Sequence, residues 1–177
     1  MSVDMKLLIA STFAKMAHTK HIDKITVKDL VEQCGISRQA FYYHFQDMLE
    51  VMEWSIKQLL QQALQDSLCA ESDEQALEAF IRVSVEYQEP LSRLMASQRR
   101  AELEQIYVEA MRSSIRQMIS REKPELALNH QDMEIALNFY AYGLAGAVFE
   151  NCRHNGVDHS ALSHKLYLLL SGRMLSD

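Results

Sequence analysis

Residues 26–45 constrain this 177-residue chain more than any other stretch, because every position in TVKDLVEQCGISRQAFYYHF agrees on one local geometry. Thr26 is placed to cap a helix with its hydroxyl, and Asp29 lies three residues on, near the positive end of that helix. Val27, Leu30, Val31 and Cys34 fall at helical spacing and form one apolar stripe. Gly35 adopts a left-handed conformation without a Cβ penalty, which ends the helix. Ile36 then fills the corner, and Ser37 is the cap of a second helix. Phe41 and Phe45 are four apart, share a face and pack back onto the first helix. The pattern predicts a helix-turn-helix.

Arg38, Gln39, Tyr42, Tyr43 and His44 are left pointing outward. All five donate hydrogen bonds suited to phosphate or to base edges, and Gln39 also accepts one. Short helix pairs with a glycine turn are common, and most are simply folded protein. Two adjacent tyrosines on a solvated face are harder to explain by packing. The cluster therefore implies a recognition helix for DNA.

The segment Ile25-Thr26-Val27-Lys28-Asp29-Leu30, followed by Gly35-Ile36-Ser37 and Phe41-Tyr42-Tyr43-His44-Phe45, resembles the TetR (tetracycline repressor) family of transcriptional regulators. The specific part of the resemblance covers about 50 N-terminal residues. It implies DNA contacts from Thr26, Lys28, Ser37, Arg38, Gln39, Tyr42, Tyr43 and His44. Arg38 and Gln39 would lie nearest the bases, where Arg pairs with guanine and Gln with adenine, while Thr26, Tyr42 and His44 would grip phosphates. One departure is plain. The family usually places a Lys near the start of the next helix, and here the chain reads Gln46-Asp47-Met48. Met48 cannot neutralise a phosphate, so one anchoring contact fewer is expected.

Charge is distributed in keeping with this. The net charge is −6, from 18 basic and 24 acidic residues. Six of each fall within residues 1–50, so the remainder holds 12 and 18 and carries the whole deficit. Lys15, Lys20, Lys24 and Lys28, with His18 and His21, flank the motif as a local positive surface, although any one of them also reads as an ordinary solvated side chain. An acidic body behind a neutral head restricts non-specific DNA affinity.

Five Gly, two Pro and 48% apolar residues predict a mainly helical fold. The expected class is all-α: a three-helix DNA-binding head over residues 1–47 and a larger helical regulatory and dimerisation body over 48–177. Helical periodicity predicts helices over about 4–19, 26–34, 37–45, 47–68, 76–87, 91–95, 99–121, 131–154 and 158–175. Pro90 is expected to break or restart a helix, Pro124 to lie in a loop, and Asn155-Gly156 to stop the penultimate helix. Cys34, Cys69 and Cys152 show no metal-type pairing and read as reduced thiols, consistent with a cytoplasmic protein. The N-terminus has no secretory pattern, and the near-apolar run Phe139 to Phe149 is too short to span a membrane.

That run leaves almost no polar face, and Gly143 and Ala147 are one turn apart, so another backbone can approach there. Phe139, Gly143, Gly146, Ala147, Leu162, Leu166 and Leu169 are the candidate dimer surface, with burial inside one chain as the alternative. The resemblance implies a dimer built from the last two helices, and a dimer presents two recognition helices about 34–36 Å apart to a palindromic operator. It also implies an effector pocket in the body, for which Trp54, Tyr87, Met95, Tyr107, Met111 and Tyr140 are candidates; a plain core position is the simpler reading of each. The ten methionines suit an adaptable cavity and an ordinary core alike. The segment from Phe139 to Gly146, followed by Asn155-Gly156, is similar to a TetR subgroup linked to dihydroxyacetone kinase operons. That similarity implies a protein effector, such as a coactivator, and activation as the output, against the small-molecule effector and repression of the general family reading.

Enzymatic readings lack parts: no phosphate-binding glycine loop and no recognisable Ser or Cys nucleophile motif. His154, His159 and His164 do not share a helical face, and His18 with His21 lack further ligands, so neither a metal nor another cofactor is expected. The expected function is a sequence-specific regulator, a repressor acting as a homodimer on duplex DNA. The alternative is a TetR-like interaction module that works through a protein coactivator with weak or lost DNA binding of its own.

Overall fold

A computed structural model describes residues 4–122, 125, 128–153 and 159–173. Among these residues the regular structure is helical: α1 Met5–Ala17, α2 Val27–Cys34, α3 Arg38–His44, α4 Met48–Leu68, α5 Asp73–Glu86, α6 Gln88–Met95, α7 Arg100–Glu122, α8 His130–Arg153 and α9 His159–Leu170. The expected all-α class holds. The expectations at Pro124, at His154, at the Asn155-Gly156 stop and at the 158 start of the last helix lie outside the described residues, whereas the expected run of that helix to 175 is cut short at Leu170. Two compact units emerge, one of Met1–Gln58 with Glu89–Tyr107, the other of Leu59–Gln88 with Val108–Asp177.

In the first unit, Asp4 caps α1 by accepting from the backbone N–H of Lys6 and of Leu7. One face of α1 buries Ile9, Ala10, Phe13 and Ala17, and the buried Thr12 hydroxyl donates to the Leu8 carbonyl at 2.8 Å. A 3₁₀ turn at Ile22–Lys24, absent from the sequence expectation, buries Ile22 and leads through the buried Ile25 into the Thr26 cap. Thr26 and Asp29 form a reciprocal capping box: the Asp29 N–H donates to the Thr26 hydroxyl at 3.2 Å, and the Thr26 N–H to the Asp29 carboxylate at 3.1 Å. Gly35 ends α2 at φ 68°, with the Ile36 N–H reaching back to the Val31 carbonyl at 3.0 Å. Ser37 then caps α3 by accepting from the Ala40 N–H at 3.0 Å. Leu30, Phe41 and Phe45 are fully enclosed.

Pro90 restarts a helix without breaking one. It occupies the first turn of α6, where backbone N–H groups have no helical partner to lose, so α6 begins at Gln88, three residues before the expected start.

In the second unit, α5 packs on α8 and α9. Phe80 and Ile81 of α5 are buried, as are Leu137, Ala141, Leu144, Ala145 and Val148 along one face of α8. Ion pairs dress the surface: Arg112 and Arg116 of α7 both meet Glu134 of α8, and Arg82 of α5 meets Asp66 of α4. The Arg82 and Arg116 pairs are accessible enough to add little stability, and apolar burial carries the unit. The last helix stops at Leu170 because Gly172, at φ 73°, turns the chain and the Arg173 N–H returns to the Leu168 carbonyl at 2.8 Å.

Two outcomes follow from the head. Gly35→Ala forces a Cβ into the left-handed region, at a cost of about 1–2 kcal/mol, and thermal denaturation should show a lower Tm, although no neighbouring atom obstructs the added carbon. The second concerns acid. The Lys20 ammonium at 2.7 Å, then the Thr26 backbone N–H, hold the Asp29 carboxyl at about 2 against an ordinary 3.8. A folded value below the unfolded one means the stabilisation is complete above the ordinary value and is lost as pH falls towards the folded one. Asp29→Asn should therefore flatten the acid limb of a Tm-versus-pH curve in that window.

Candidate nucleic-acid interface

α3 is seven residues long, and its two faces divide cleanly. Phe41 is fully buried and Phe45, its C-cap, nearly so; the two rings lie 6.1 Å apart. Arg38, Gln39, Tyr42 and Tyr43 are exposed, Tyr42 at 50% and Tyr43 at 85%. Tyr42 stands edge-on to Phe41 at 5.3 Å, which braces its ring. His44 differs from the expected outward position: it is half-buried, its ring edge-on to Tyr43 at 5.0 Å.

Thr26, Lys28 and Ser37 are exposed beside this helix. The Thr26 and Ser37 oxygens already accept the Asp29 and Ala40 N–H groups, and each hydroxyl keeps its O–H as a donor. The expected positive surface is smaller than the sequence count. Lys20 is committed to Asp29 at 2.7 Å, and His21 accepts from the Asp23 N–H at 3.4 Å beside the Asp23 carboxylate. Lys15, Lys24 and Lys28 remain exposed.

The start of α4 departs further from a phosphate anchor than Met48 alone implies. The Asp47 carboxylate accepts the Glu50 N–H at 3.0 Å, and the Glu50 carboxylate accepts the Gln46 N–H at 2.6 Å. Two acidic side chains thus occupy the helix end that would otherwise attract an anion. The signal was present as Asp47-Met48-Leu49-Glu50, a capping pattern.

In the second unit the outward face of α8 is apolar. Ile135 is 60% exposed, Phe139 71%, Tyr142 64% and Tyr140 37%, and Gly143 and Gly146 lie exposed among them. Among the described residues, a Cβ on either glycine would meet no side chain or neighbouring helix within 4 Å. Ala147, Leu162 and Leu166 are half-buried, and Leu169 is 48% exposed beside Leu170. Ile135 escaped the sequence reading, although its spacing of four from Phe139 placed it on the same face.

The candidate effector-pocket residues are spread across both units. Tyr107 and Met111 are fully buried, one turn apart on α7. Trp54, Tyr87 and Met95 are half-buried, Trp54 edge-on to Phe45 at 6.3 Å, and Tyr140 is exposed. All three cysteines are free, and burial pushes the Cys152 thiol up to about 11. Among the described residues, no group of three His, Cys, Asp or Glu is arranged to hold a metal ion, and no helix is long and apolar enough to cross a membrane.

Comparison with known proteins agrees with this geometry. Residues 14–53 match the family model described as bacterial regulatory proteins, tetR family. No curated protein matches the sequence. Among solved structures, the chain is similar to the dihydroxyacetone kinase operon activator DhaS, with 17% identity, a TM-score of 0.71 and coverage of 98% of this chain and 97% of that one. It is similar to a TetR-family transcriptional regulator from Pectobacterium atrosepticum, with 21% identity, a TM-score of 0.57 and coverage of 97% and 95%. It is also similar to the TetR-family repressor AlkX from Dietzia, with 14% identity, a TM-score of 0.61 and coverage of 98% and 97%. At these identities the structures establish the shared fold, and the match over residues 14–53 covers the helix-turn-helix. Residues 14–53 thus carry a DNA-binding segment similar to that of the tetR-family regulatory proteins, and the chain shares the all-helical fold of the solved regulators.

Proposed function

We propose that the chain works in the cytoplasm as a homodimer that binds a palindromic duplex operator and represses the adjacent genes until an effector releases it. Residues 1–47 would supply the DNA-binding head, and 48–177 the dimer contact and the effector response. The observation that carries the reading is the α3 face: Arg38, Gln39, Tyr42 and Tyr43 are exposed together on a helix whose other side is buried core. Arg38 and Gln39, in the first turn, have the reach and donor pattern for base edges in the major groove. Thr26, Lys28, Ser37, Tyr42, Tyr43 and His44 surround them with donors for the backbone.

The dimer is supported by the α8 face. Soluble monomers seldom leave a contiguous apolar strip such as Ile135, Phe139 and Tyr142 in water. Each helix-interior glycine costs about 1 kcal/mol relative to Ala, and none of the described residues approaches Gly143 or Gly146 closely enough to offset that. A second copy at this face would. Repression is the simplest output, since a dimer seated on a promoter excludes other proteins without further contacts. One observation favours a second reading: the similar protein DhaS is named an operon activator. Under that reading the effector is a protein coactivator. Loss of DNA binding in Arg38→Ala separates direct binding from a partner-dependent module.

The reading is tested by selecting sites from random duplex DNA with the purified chain. A palindrome should be enriched, and an unenriched pool would favour the partner-dependent reading. On the enriched duplex, Gln39→Ala should cost about 1–3 kcal/mol of discrimination at one base position. Lys28→Ala should instead weaken every site alike and lower the salt slope by about one. Sedimentation of Phe139→Glu should show a folded monomer, because the side chain is 71% exposed within the chain and a charge there opposes only association.

A further inference from the structure

The linker between α1 and α2 is held by groups from far along the chain. The Ser97 hydroxyl donates to one oxygen of the Asp23 carboxylate at 2.6 Å, and the Gln98 backbone N–H donates to the other at 2.9 Å. Arg93 donates to the His18 carbonyl at 3.1 Å and pairs with Glu89 at 3.2 Å. These contacts join positions 74 and 75 residues apart, all within the first unit. Ser97 is buried, and its oxygen accepts the Arg99 N–H at 3.0 Å, so its single proton is directed at Asp23.

Two donors on one carboxylate make a directional grip, stronger than the same bonds between neutral groups. The grip adds direction at the centre of the linker, beside the Arg93–His18 and Lys20–Asp29 contacts at its start. Ile22 and Ile25 are buried on either side of Asp23, but apolar burial does not fix rotation about the chain. Asp23 lies three residues before Thr26, the cap of α2, and Lys20 ties the same linker to Asp29 in the first turn of α2. The Gly35 turn then passes the orientation of α2 to α3.

We infer that Asp23, gripped by Ser97 and Gln98, is a positioning residue for DNA recognition: it fixes the start of α2, and through it the presentation of α3, without contributing a contact to DNA. The inference rests on the DNA-binding reading above. Its test uses the full chain, the duplex that the wild-type chain enriches from random DNA, and hydrogen exchange of the free protein. Asp23→Ala should weaken binding about tenfold, the scale of one lost charge-assisted bond. The salt slope should stay at the wild-type value, because no phosphate contact is lost. Amide exchange across residues 26–34 should quicken in the free protein, at temperatures where thermal unfolding shows the variant still folded. Ser97→Ala added to Asp23→Ala should cost nothing further, and Asp23→Asn, which keeps an acceptor for the Gln98 N–H, should recover part of the affinity.

Wild-type affinity in Asp23→Ala, tighter binding, a reduced salt slope, or weaker binding without faster exchange would each overturn the inference. If the wild-type chain enriches no duplex, the DNA-binding reading itself fails. The exchange comparison then still decides the grip: unchanged protection across 26–34 refutes it, and faster exchange upholds its positioning of α2.

Discussion

A seven-residue helix does not hold together alone in water, so α3 exists because Phe41 and Phe45 are buried. Enclosing each ring contributes roughly 2–3 kcal/mol. Phe45 is fastened from two further sides, with the Lys6 ammonium 5.1 Å from its ring centre and Trp54 edge-on. That anchoring frees the opposite face from any packing duty, and Arg38, Gln39, Tyr42 and Tyr43 occupy it. The left-handed turn at Gly35 sets the angle at which the face is offered. Burial on one side and an exposed polar and aromatic face on the other are a single design.

The body makes the complementary choice. α8 buries Leu137, Ala141, Leu144, Ala145 and Val148 against its own chain and turns Ile135, Phe139, Tyr142 and two glycines outward. A helix apolar almost all round is stable in water only if both sides are covered. The α8 face and the α3 face thus bear on one proposal, since a second copy at α8 would double the recognition helices.

What was legible in the sequence was local. Thr26 with Asp29, Gly35, Ser37, and the spacing of Phe41 and Phe45 each act within four residues, so the capping box, the turn and the buried face could be read from the string. The Asp47–Glu50 cap was equally local and simply passed over. The rest was non-local. Nothing in residues 89–107 announces that they join the first unit, because the contacts that place Arg93 and Ser97 on the α1–α2 linker come from 74 and 75 residues away. Lys20 looked like free positive charge until its partner Asp29 came within 2.7 Å. His44 looked outward by helical period, but it closes the helix and its ring leans on Tyr43.

The claim at the centre of this account is that the exposed face of α3 enters the major groove. A duplex carrying 5-iodouracil places its reactive carbon on the major-groove edge of the base, so irradiation of the bound complex followed by mass spectrometry of the cross-linked peptides tests that claim directly. Cross-links concentrated in the peptide holding Arg38 to His44 are the expected result. Cross-links from a saturated complex that fall on α8 or on the start of α4, and spare α3, would contradict it.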